Sequence, residues 1–290
     1  MGRAQLDPVL KASGSIIVPG AYDALSAKLA VQAGARAVYM SGFAVAGAAF
    51  GIPDIGLVSA TEMVERVRAL VAASAPVPLI ADGDNGHGGP LNTARLTVAY
   101  ESAGAACIQI EDQVSPKRCG HMEGKEVISR ADAAAKIRAA ADSRSDPAFK
   151  IMARTDARAT DGLDEALRRG EAFLRAGADV LFIEAPRDET ELETIARTFR
   201  GTPLVANMVE DGKTPLLAPK DLEALGYKII LYPVSALLAV SRRLHDVYAA
   251  LLSGDQASLD TDRVRFDEYN EIVGLPGLLA QAKSYSGNEP

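Results

Sequence analysis

Three acidic residues and one arginine carry the clearest chemistry in this sequence. Asp82 and Asp84 flank a glycine just before a glycine-rich run, and Glu111 ends a separate apolar stretch. Carboxylates without a cluster of His or Cys form an oxygen-ligand set, which suits Mg²⁺ or Mn²⁺ better than Zn²⁺. Arg154 can bind a carboxylate through two parallel hydrogen bonds. The sequence therefore predicts a divalent-cation site and a small dicarboxylate substrate.

A second chemical feature is a cationic segment, which reads SPKRCGHMEGK over residues 115–125. Its cysteine, Cys119, has Lys117, Arg118 and His121 as close sequence neighbours. Positive charges near a thiol favour the thiolate, so the segment predicts a reactive cysteine in a loop that covers an anion. The alternative is a solvated surface loop in which the cysteine is incidental.

The rest of the chain predicts the framework that positions these residues. Short β-prone runs alternate with alanine-rich segments of helical period, which is typical of parallel strands joined by crossover helices. The predicted strands are residues 15–18, 37–40, 77–81, 106–110, 150–153, 180–183, 204–206 and 229–232. The predicted helices are residues 23–34, 60–73, 90–104, 130–142, 163–177, 189–199 and 219–226.

Eight such units close most simply into a (β/α)8 TIM-type barrel. An open doubly wound sheet is the weaker alternative, because no glycine-rich dinucleotide motif follows the first strand. Most of the polar candidates follow predicted strands, so a barrel would gather them at its C-terminal face, where such enzymes have their active sites. Asp23 and Asp156 are interpreted differently, as caps of the helices that follow them.

Composition narrows the partners. The chain has 290 residues, a net charge of −7 and 48% hydrophobic residues, which fits one large domain spanning residues 1–290. The absence of a long basic run argues against nucleic acid, and the absence of a long apolar run argues against a membrane. No signal peptide is evident, so the expected location is cytoplasmic. The two cysteines have dissimilar surroundings and give no disulfide framework.

Nine short segments, in order along nearly the whole chain, resemble the isocitrate lyase and phosphoenolpyruvate mutase superfamily. They are PGAYDA at 19–24, YMSG at 39–42, PDIG at 53–56, DGD at 82–84, IEDQ at 110–113, KRCGH at 117–121, MARTD at 152–156, LYP at 231–233 and VGLP at 273–276. The KRCGH segment is the most specific, because it resembles the loop of the carbon–carbon lyase branch.

The resemblance implies a set of roles. It implies a homotetramer, a dimer of dimers, in which the last helix of the barrel, within an extension at residues 260–290, packs on a neighbouring subunit. It implies Mg²⁺, with Mn²⁺ as an alternative, held by Asp82 and Asp84 with Glu111 nearby. The substrate contacts it implies are Ser41, Gly42, Cys119, Gly120, Arg154, Glu184 and Asn207.

The chemistry that the resemblance implies is a retro-aldol, Claisen-type cleavage of a 2-hydroxy di- or tricarboxylate. Cys119 would protonate the carbanion, with Lys117 and His121 tuning its thiol. Tyr39 matches a tyrosine proposed as the base in this family, although a tyrosine at a strand end can equally be packing.

Two departures from the family pattern bear on the substrate. Phe43 stands where methylisocitrate lyases continue a run of glycines, and Leu238 lies near the place of an arginine that holds a third carboxylate. Added bulk and a lost cation favour a 2-alkylmalate such as 2,3-dimethylmalate. The alternatives are methylisocitrate cleavage, in which Arg242 or Arg243 replaces the missing cation, oxaloacetate hydrolysis, and, least favoured, a non-catalytic barrel that binds a dicarboxylate.

Overall fold

Eight parallel strands form a barrel in this computed structural model, which describes residues 4–117, 124–255 and 263–286. The strands are β1 (Ile16–Ala21), β2 (Val38–Met40), β3 (Leu79–Asp82), β4 (Cys107–Glu111), β5 (Lys150–Thr155), β6 (Val180–Ile183), β7 (Val205–Asn207) and β8 (Ile229–Tyr232). Their order in the sheet is β6-β5-β4-β3-β2-β1-β8-β7. All eight predicted strands are confirmed, with ends that differ by up to three residues.

The register closes the sheet on itself. Strand β1 pairs with β2, where Gly20 lies opposite Tyr39, and with β8, where Val18 lies opposite Leu231. The two outer strands, β6 and β7, meet through a parallel bridge between Leu181 and Leu204. The predicted (β/α)8 architecture is therefore confirmed, and the doubly wound alternative is not.

Helices lie between the strands and after the last one. They are α1 (Asp7–Lys11), α2 (Ala24–Gln32), α3 (Gly42–Phe50), α4 (Ala60–Ser74), α5 (Pro90–Ser102), α6 (Arg130–Ser143), α7 (Ala157–Thr160), α8 (Leu163–Arg175), α9 (Glu189–Thr198), α10 (Pro219–Leu225), α11 (Ser235–Ser253), α12 (Phe266–Val273) and α13 (Leu275–Tyr285). The seven predicted helices are all present. Helix α3 was not predicted, because its sequence GFAVAGAAF is small and apolar with no amphipathic period.

Side chains alternate along the strands between two apolar clusters, as the period of a strand requires. In β2, Val38 and Met40 belong to the cluster between sheet and helices, whereas Tyr39 belongs to a second cluster with Val18 and Phe182. The second cluster is the barrel interior, since it collects the opposite faces of the strands. Tyr39 thus points into the barrel.

Asp23 behaves as the sequence predicted. Its carboxylate accepts a hydrogen bond of 2.7 Å from the backbone N–H of Ser26, and the Ser26 hydroxyl accepts one from the Asp23 N–H. This reciprocal pair caps α2 and fixes the point at which the chain turns from β1 into its helix.

The chain divides into two compact units, Met1–Leu237 and Leu238–Pro290. The barrel strands all lie in the first unit, and α12 and α13 lie in the second. The predicted start of the C-terminal extension, at residue 260, lies outside the described residues, so that boundary stays a prediction. Among the described helices, none combines the length and the apolar character needed to cross a bilayer.

Candidate active site

The C-terminal ends of the strands bring most of the predicted site residues to one rim of the barrel. All those in the described chain except Phe43 are buried. Phe43 is half-buried in the first turn of α3. The buried set is Tyr39, Ser41, Gly42, Asp82, Asp84, Glu111, Lys117, Arg154, Glu184 and Asn207. Cys119, Gly120 and His121 lie outside the described residues.

The turn after β2 packs directly on the acidic residues after β3. Ser41 caps α3 by accepting a hydrogen bond from the Ala44 N–H at 3.3 Å, and the Gly42 N–H donates to Asp82 Oδ2 at 3.1 Å. A Cβ atom at Gly42 would lie 2.9 Å from Asp82 Oδ2 and 3.2 Å from Asp84 Oδ1. A larger residue at position 42 would therefore have to displace at least the carboxylate of Asp82.

Asp82 is the end of a hydrogen-bonded chain that links the three adjacent strands β2, β3 and β4. Its Oδ1 accepts from the Asp84 N–H and from Gln109 Nε2, each at 3.1 Å, and Gln109 Oε1 accepts from the Tyr39 hydroxyl at 3.0 Å. Burial, and then the charge of Asp84, raise the pKa of Asp82 to about 6. Burial also raises the pKa of Tyr39 well above its usual value. The surroundings of Asp82 therefore only partly stabilise the negative charge of its carboxylate.

Lys117 places a cation between two of these acids. Its Nζ lies 2.5 Å from Asp84 Oδ1 and 2.5 Å from Asp54 Oδ1, and its side chain is 5% exposed. Burial on its own lowers the pKa of Lys117, but the surrounding carboxylates, Asp84 and Glu111 foremost, raise it well above its usual value. Lys117 is therefore charged, and its ammonium is paired with carboxylates. Asp54 was not predicted as a site residue; the resemblance of the PDIG segment was the available signal.

Glu111 is the third predicted metal carboxylate. Its Oε1 is buried and makes no hydrogen bond to any described residue, while its Oε2 lies 3.4 Å from Arg154 Nε. Burial raises the pKa of Glu111 well above its usual value. An unpartnered buried carboxylate oxygen costs free energy unless a proton or a cation satisfies it.

Arg154 lies at the centre of three carboxylates. Its Nε and Nη2 donate to the two oxygens of Asp156 at 3.1 Å each, and its Nη2 also lies 3.4 Å from Glu184 Oε2. Its guanidinium carbon lies 5.1 Å from the centre of the Phe182 ring. The Nε and Nη2 groups, which could bind a carboxylate through two parallel hydrogen bonds, are thus already bonded to Asp156. A ligand would have to bind the other N–H groups of the guanidinium.

The interpretation of Asp156 as a simple helix cap is wrong. Asp156 precedes α7 but its side chain accepts no capping hydrogen bond. It instead pairs with Arg154 and accepts from Lys125 Nζ at 2.9 Å. Burial on its own raises the pKa of Asp156, but Arg154 and Lys125 lower it to about 2. The sequence could not reveal this pairing, because Lys125 is far away along the chain.

A carboxylate next to this group supports the turn after β5. Asp112 accepts from the Thr155 hydroxyl at 2.6 Å, from the Asp156 N–H at 2.9 Å and from Arg169 Nη1 at 2.9 Å. These contacts use both of its oxygens, which fixes the backbone at Asp156. Asp112 therefore supports the site from behind.

Glu184 and Asn207 meet across β6 and β7. Asn207 Nδ2 donates to Glu184 Oε2 at 3.1 Å, and this bond sets the orientation of the amide. Asn207 Oδ1 is buried without a hydrogen-bond partner among the described residues. This oxygen is available to accept a hydrogen bond from a hydroxyl group of a ligand.

Buried charge around the rim is net negative. Among the described residues there are seven buried carboxylates, Asp54, Asp82, Asp84, Glu111, Asp112, Asp156 and Glu184. Six buried cations are also present, Lys117, Lys125, Lys136, Arg154, Arg158 and Arg169, and two of them, Arg158 and Arg169, also pair with the half-buried Glu191 and Glu165. Fully ionised, these buried groups carry more negative than positive charge, which favours the binding of a cation.

The residues fit such a cation. No group of three or more His, Cys, Asp and Glu side chains within the described chain is arranged as a complete metal cluster. Mg²⁺ does not need one, because it is commonly bound by one or two carboxylates and keeps several waters. Asp82 and Asp84 both approach Gly42 closely, and Glu111 has a buried oxygen without a hydrogen-bond partner among the described residues. These three carboxylates are the candidate metal site.

Comparison with protein families and curated proteins places the chain among enzymes. The family described as phosphoenolpyruvate phosphomutase matches residues 7–252. The chain is 46% identical over 285 residues to 2,3-dimethylmalate lyase of Eubacterium barkeri, covering 98% of both chains. It is 40% identical to the petal death protein of Dianthus caryophyllus, covering 99% of this chain and 91% of that one. It is 40% identical to 2-methylisocitrate lyase of Bacillus subtilis (strain 168), covering 84% and 79%.

Solved structures give the same picture. A crystal structure of 2,3-dimethylmalate lyase, described as a PEP mutase/isocitrate lyase superfamily member, superposes with a TM-score of 0.92 at 32% identity, covering 99% and 97% of the two chains. Oxaloacetate acetylhydrolase in complex with 3,3-difluorooxalacetate also gives 0.92, at 30% identity with the same coverage. Phosphonopyruvate hydrolase in complex with oxalate and Mg²⁺ gives 0.84 at 31% identity, covering 95% of each.

Proposed function

Because this chain belongs to the phosphoenolpyruvate mutase/isocitrate lyase superfamily, we propose that it is a carbon–carbon lyase that cleaves a 2-alkylmalate such as 2,3-dimethylmalate. The observation that carries the proposal is the meeting of an acidic cluster and Arg154 on one rim, in a chain 46% identical to 2,3-dimethylmalate lyase over 98% of its length. The products would be a 2-oxo acid and a short carboxylate, which are pyruvate and propionate in the case of 2,3-dimethylmalate.

Substrate binding would use the positive and polar groups that face the rim. Arg154 would hold one carboxylate with the part of its guanidinium that is not bonded to Asp156. Asn207 Oδ1, which is buried and unpartnered among the described residues, would accept a hydrogen bond from the substrate hydroxyl group. Ser41 and Gly42, at the start of α3, would contact the other end of the substrate, and Phe43 would limit its size.

The reaction needs one proton removed and one proton supplied. Loss of the hydroxyl proton turns the C–O bond into a carbonyl while the adjacent C–C bond breaks, and its electron pair stays on the carbon next to the second carboxylate. Tyr39, which points into the barrel and donates its hydroxyl hydrogen to Gln109, is the candidate base, and it would take the proton only as tyrosinate, against the rise in its pKa that burial causes. Cys119 would protonate the carbanion, Gly120 would contact the substrate, and His121 would tune the thiol of Cys119.

The candidate cofactor is Mg²⁺, with Mn²⁺ as an alternative, at Asp82, Asp84 and Glu111. When bound, the ion would neutralise the carboxylates and polarise the oxygens of the substrate. The excess of buried negative charge supports a cation at the rim, and the Mg²⁺ in the phosphonopyruvate hydrolase complex supports a divalent one. Without added positive charge, a dianionic substrate would be repelled from this rim.

Product analysis in D₂O tests the reaction type. The chain is incubated with 2,3-dimethylmalate and Mg²⁺, and the products are followed by NMR. Cleavage predicts pyruvate and propionate in equal amounts, with one deuterium on the methylene carbon of the propionate. Unchanged 2,3-dimethylmalate under conditions where Mg²⁺ binding is verified would contradict the proposal.

Hydrolysis of oxaloacetate is the second candidate function. The structure of oxaloacetate acetylhydrolase superposes as well as that of 2,3-dimethylmalate lyase, with a TM-score of 0.92 in both cases. Cleavage of 2-methylisocitrate is the third candidate function, supported by 40% sequence identity to a 2-methylisocitrate lyase. The bulk of Phe43 favours the alkylmalate over the larger tricarboxylate.

Two further properties are part of the proposal. In the C-terminal unit, Phe266 and Leu278 are 82% and 62% exposed, and apolar side chains of this size favour burial against another protein surface. This exposure supports packing of the C-terminal helices on a neighbouring subunit, and we propose the homotetramer that the family resemblance implies as the assembly. A cytoplasmic location is the expected one for such an enzyme.

A further inference from the structure

The guanidinium of Arg154 has more negative than positive neighbours. Asp156 takes two of its N–H groups at 3.1 Å, and the carboxylates of Glu111 and Glu184 each lie 3.4 Å away. If all three acids were ionised, the group formed by Arg154 and these acids would carry a net charge of −2. An arginine enclosed in this way has little positive potential left for an anionic ligand.

Lys125 is a cation that reduces this excess, from −2 to −1. Its Nζ donates to Asp156 Oδ1 at 2.9 Å, and the side chains of Lys125 and Asp156 are 2% and 0% exposed. A pair removed from water to this degree interacts strongly, because solvent does not screen it. Lys125 shares Asp156 Oδ1 with Arg154 Nη2, so the carboxylate that fixes the direction of Arg154 is itself neutralised by a second cation.

The backbone around Lys125 is fixed relative to the strand ends. The Val114 N–H donates to the carbonyl of Glu126 at 2.9 Å, and the Ile128 N–H donates to the carbonyl of Asp112 at 2.9 Å. Gln113 and Val127 form an antiparallel bridge between these bonds. This short two-stranded ladder holds Lys125 against the turn after β5, so its ammonium has a defined position.

We propose that Lys125 is a positioning residue that acts through Asp156: by neutralising the carboxylate that orients Arg154, it leaves the positive field of the guanidinium to the anionic substrate. Lys125 itself does not touch the substrate in this arrangement. The inference rests on the proposed function, since it takes Arg154 as the carboxylate-binding group.

The test measures anion binding without turnover. Oxalate is titrated into the full chain with saturating Mg²⁺, and its dissociation constant is determined by calorimetry for wild type, K125M and K125M/D156N. We expect K125M to raise the dissociation constant by about tenfold or more, because Asp156 then opposes the anion. The double variant removes both charges of the pair and should recover to within about threefold of wild type.

The matched control is K150M. Lys150 is the first residue of β5, whereas Arg154 is near the end of that strand. The Nζ atom of Lys150 lies 2.7 Å from Asp7 Oδ1, at the opposite end of the barrel from the candidate site. The Lys→Met substitution at position 150 thus also breaks a lysine–aspartate pair, but at a place away from the candidate site. K150M should bind oxalate as wild type does.

Three outcomes would overturn the inference. The first is K125M binding oxalate with wild-type affinity. The second is a double variant that binds no better than K125M, since Lys125 would then not act through the charge of Asp156. The third uses K125R, which keeps the positive charge and covers the case in which K125M does not fold. The dissociation constant of oxalate for K125R should stay within about threefold of wild type. A tenfold loss of affinity in a folded K125R protein would contradict the charge argument.

Turnover of alkylmalates tests the proposed function separately. A chain that binds oxalate in a Lys125-dependent manner but cleaves no alkylmalate would contradict the proposed reaction and keep the role of Lys125. If the chain cleaves alkylmalates and K125M binds oxalate as wild type does, the proposed reaction is kept and the role of Lys125 is contradicted.

Discussion

The ammonium of Lys117 lies 2.5 Å from the carboxylate of Asp84, inside the group of acids that forms the candidate metal site. Lys117 also lies 2.5 Å from Asp54, so one lysine neutralises part of the charge that a divalent cation would meet. The chain thus carries its own monovalent counter-ion at this place. A metal ion bound to Asp84 must share that carboxylate with the lysine.

We predict that K117M binds Mn²⁺ more tightly than wild type does. Removing a positive charge from the immediate surroundings of Asp84 increases the attraction of the acidic cluster for a cation, by about tenfold or more in the dissociation constant. Turnover should fall at the same time, because Lys117 is among the proposed catalytic residues. Electron paramagnetic resonance of free Mn²⁺ measures the affinity directly. Equal or weaker Mn²⁺ binding by a folded K117M protein would show that the lysine does not oppose the metal.

We predict that Gly42→Ala impairs metal binding while Gly47→Ala does not. Both glycines lie in α3, but an added Cβ at Gly42 would be 2.9 Å from Asp82 Oδ2, whereas the nearest atom to a Cβ at Gly47 is a methyl carbon of Leu237 at 3.8 Å. The substitution at Gly42 must displace a carboxylate of the candidate metal site. Mn²⁺ titration of the two variants makes the comparison, with circular dichroism as the check of folding. Unchanged Mn²⁺ affinity in Gly42→Ala would place the metal elsewhere.

We predict that C119S separates catalysis from binding. Loss of a positioned acid typically costs about 10²- to 10⁴-fold in rate, since a serine hydroxyl is a much weaker acid than a thiol. The dissociation constant of oxalate should stay within about threefold of wild type, because the carboxylate contacts of Arg154 do not depend on the thiol. A steady-state assay and calorimetry give the two values. A C119S protein that retains its kcat would remove Cys119 from the mechanism and would reopen the non-catalytic alternative.

The low pKa of Asp156 predicts a specific loss of stability in acid. Its pKa is about 2 in the folded chain against an ordinary 3.8. A carboxyl group whose pKa is lowered by folding contributes stability above its unfolded pKa and loses that contribution as pH falls towards its folded pKa. The difference corresponds to about 2 kcal/mol at neutral pH, of which about 1 kcal/mol is lost between pH 5 and pH 3.

Urea unfolding of wild type and D156N measures this contribution. The unfolding free energy of D156N should be lower by about 2 kcal/mol or more at pH 7, and the gap should narrow by about 1 kcal/mol between pH 5 and pH 3. The control is D142N, at an exposed position of α6, which should stay within about 0.5 kcal/mol of wild type throughout. A gap between wild type and D156N that does not change with pH would contradict the ion pairing of Asp156.

The framework of the barrel was predictable because strand and helix periods are local properties. All eight strands and seven of the helices are visible in the alternation of apolar residues, and the rule that strand ends share one face predicts that Asp82, Glu111 and Asn207 meet. Helix α3 was missed because its small apolar residues have no polar face to give a period.

The partners of the charged residues were not predictable from local pattern. Arg154 was expected to offer its paired N–H groups to a substrate, but Asp156 takes them because the turn after β5 returns the carboxylate to the guanidinium. Lys125 reaches Asp156 only through the ladder between residues 112–114 and 126–128. Such contacts depend on tertiary structure, and a spacing rule along the chain does not contain them.

The measurement that tests the central claim most directly is a comparison of substrates by coupled detection of 2-oxo acid release with Mg²⁺. The substrates are 2,3-dimethylmalate, 2-ethylmalate and 2-methylisocitrate, and oxaloacetate consumption is followed separately. We predict that an alkylmalate has the highest kcat/KM, because Phe43 adds bulk at the start of α3. The highest kcat/KM for 2-methylisocitrate, or activity on oxaloacetate alone, would contradict the alkylmalate lyase proposal.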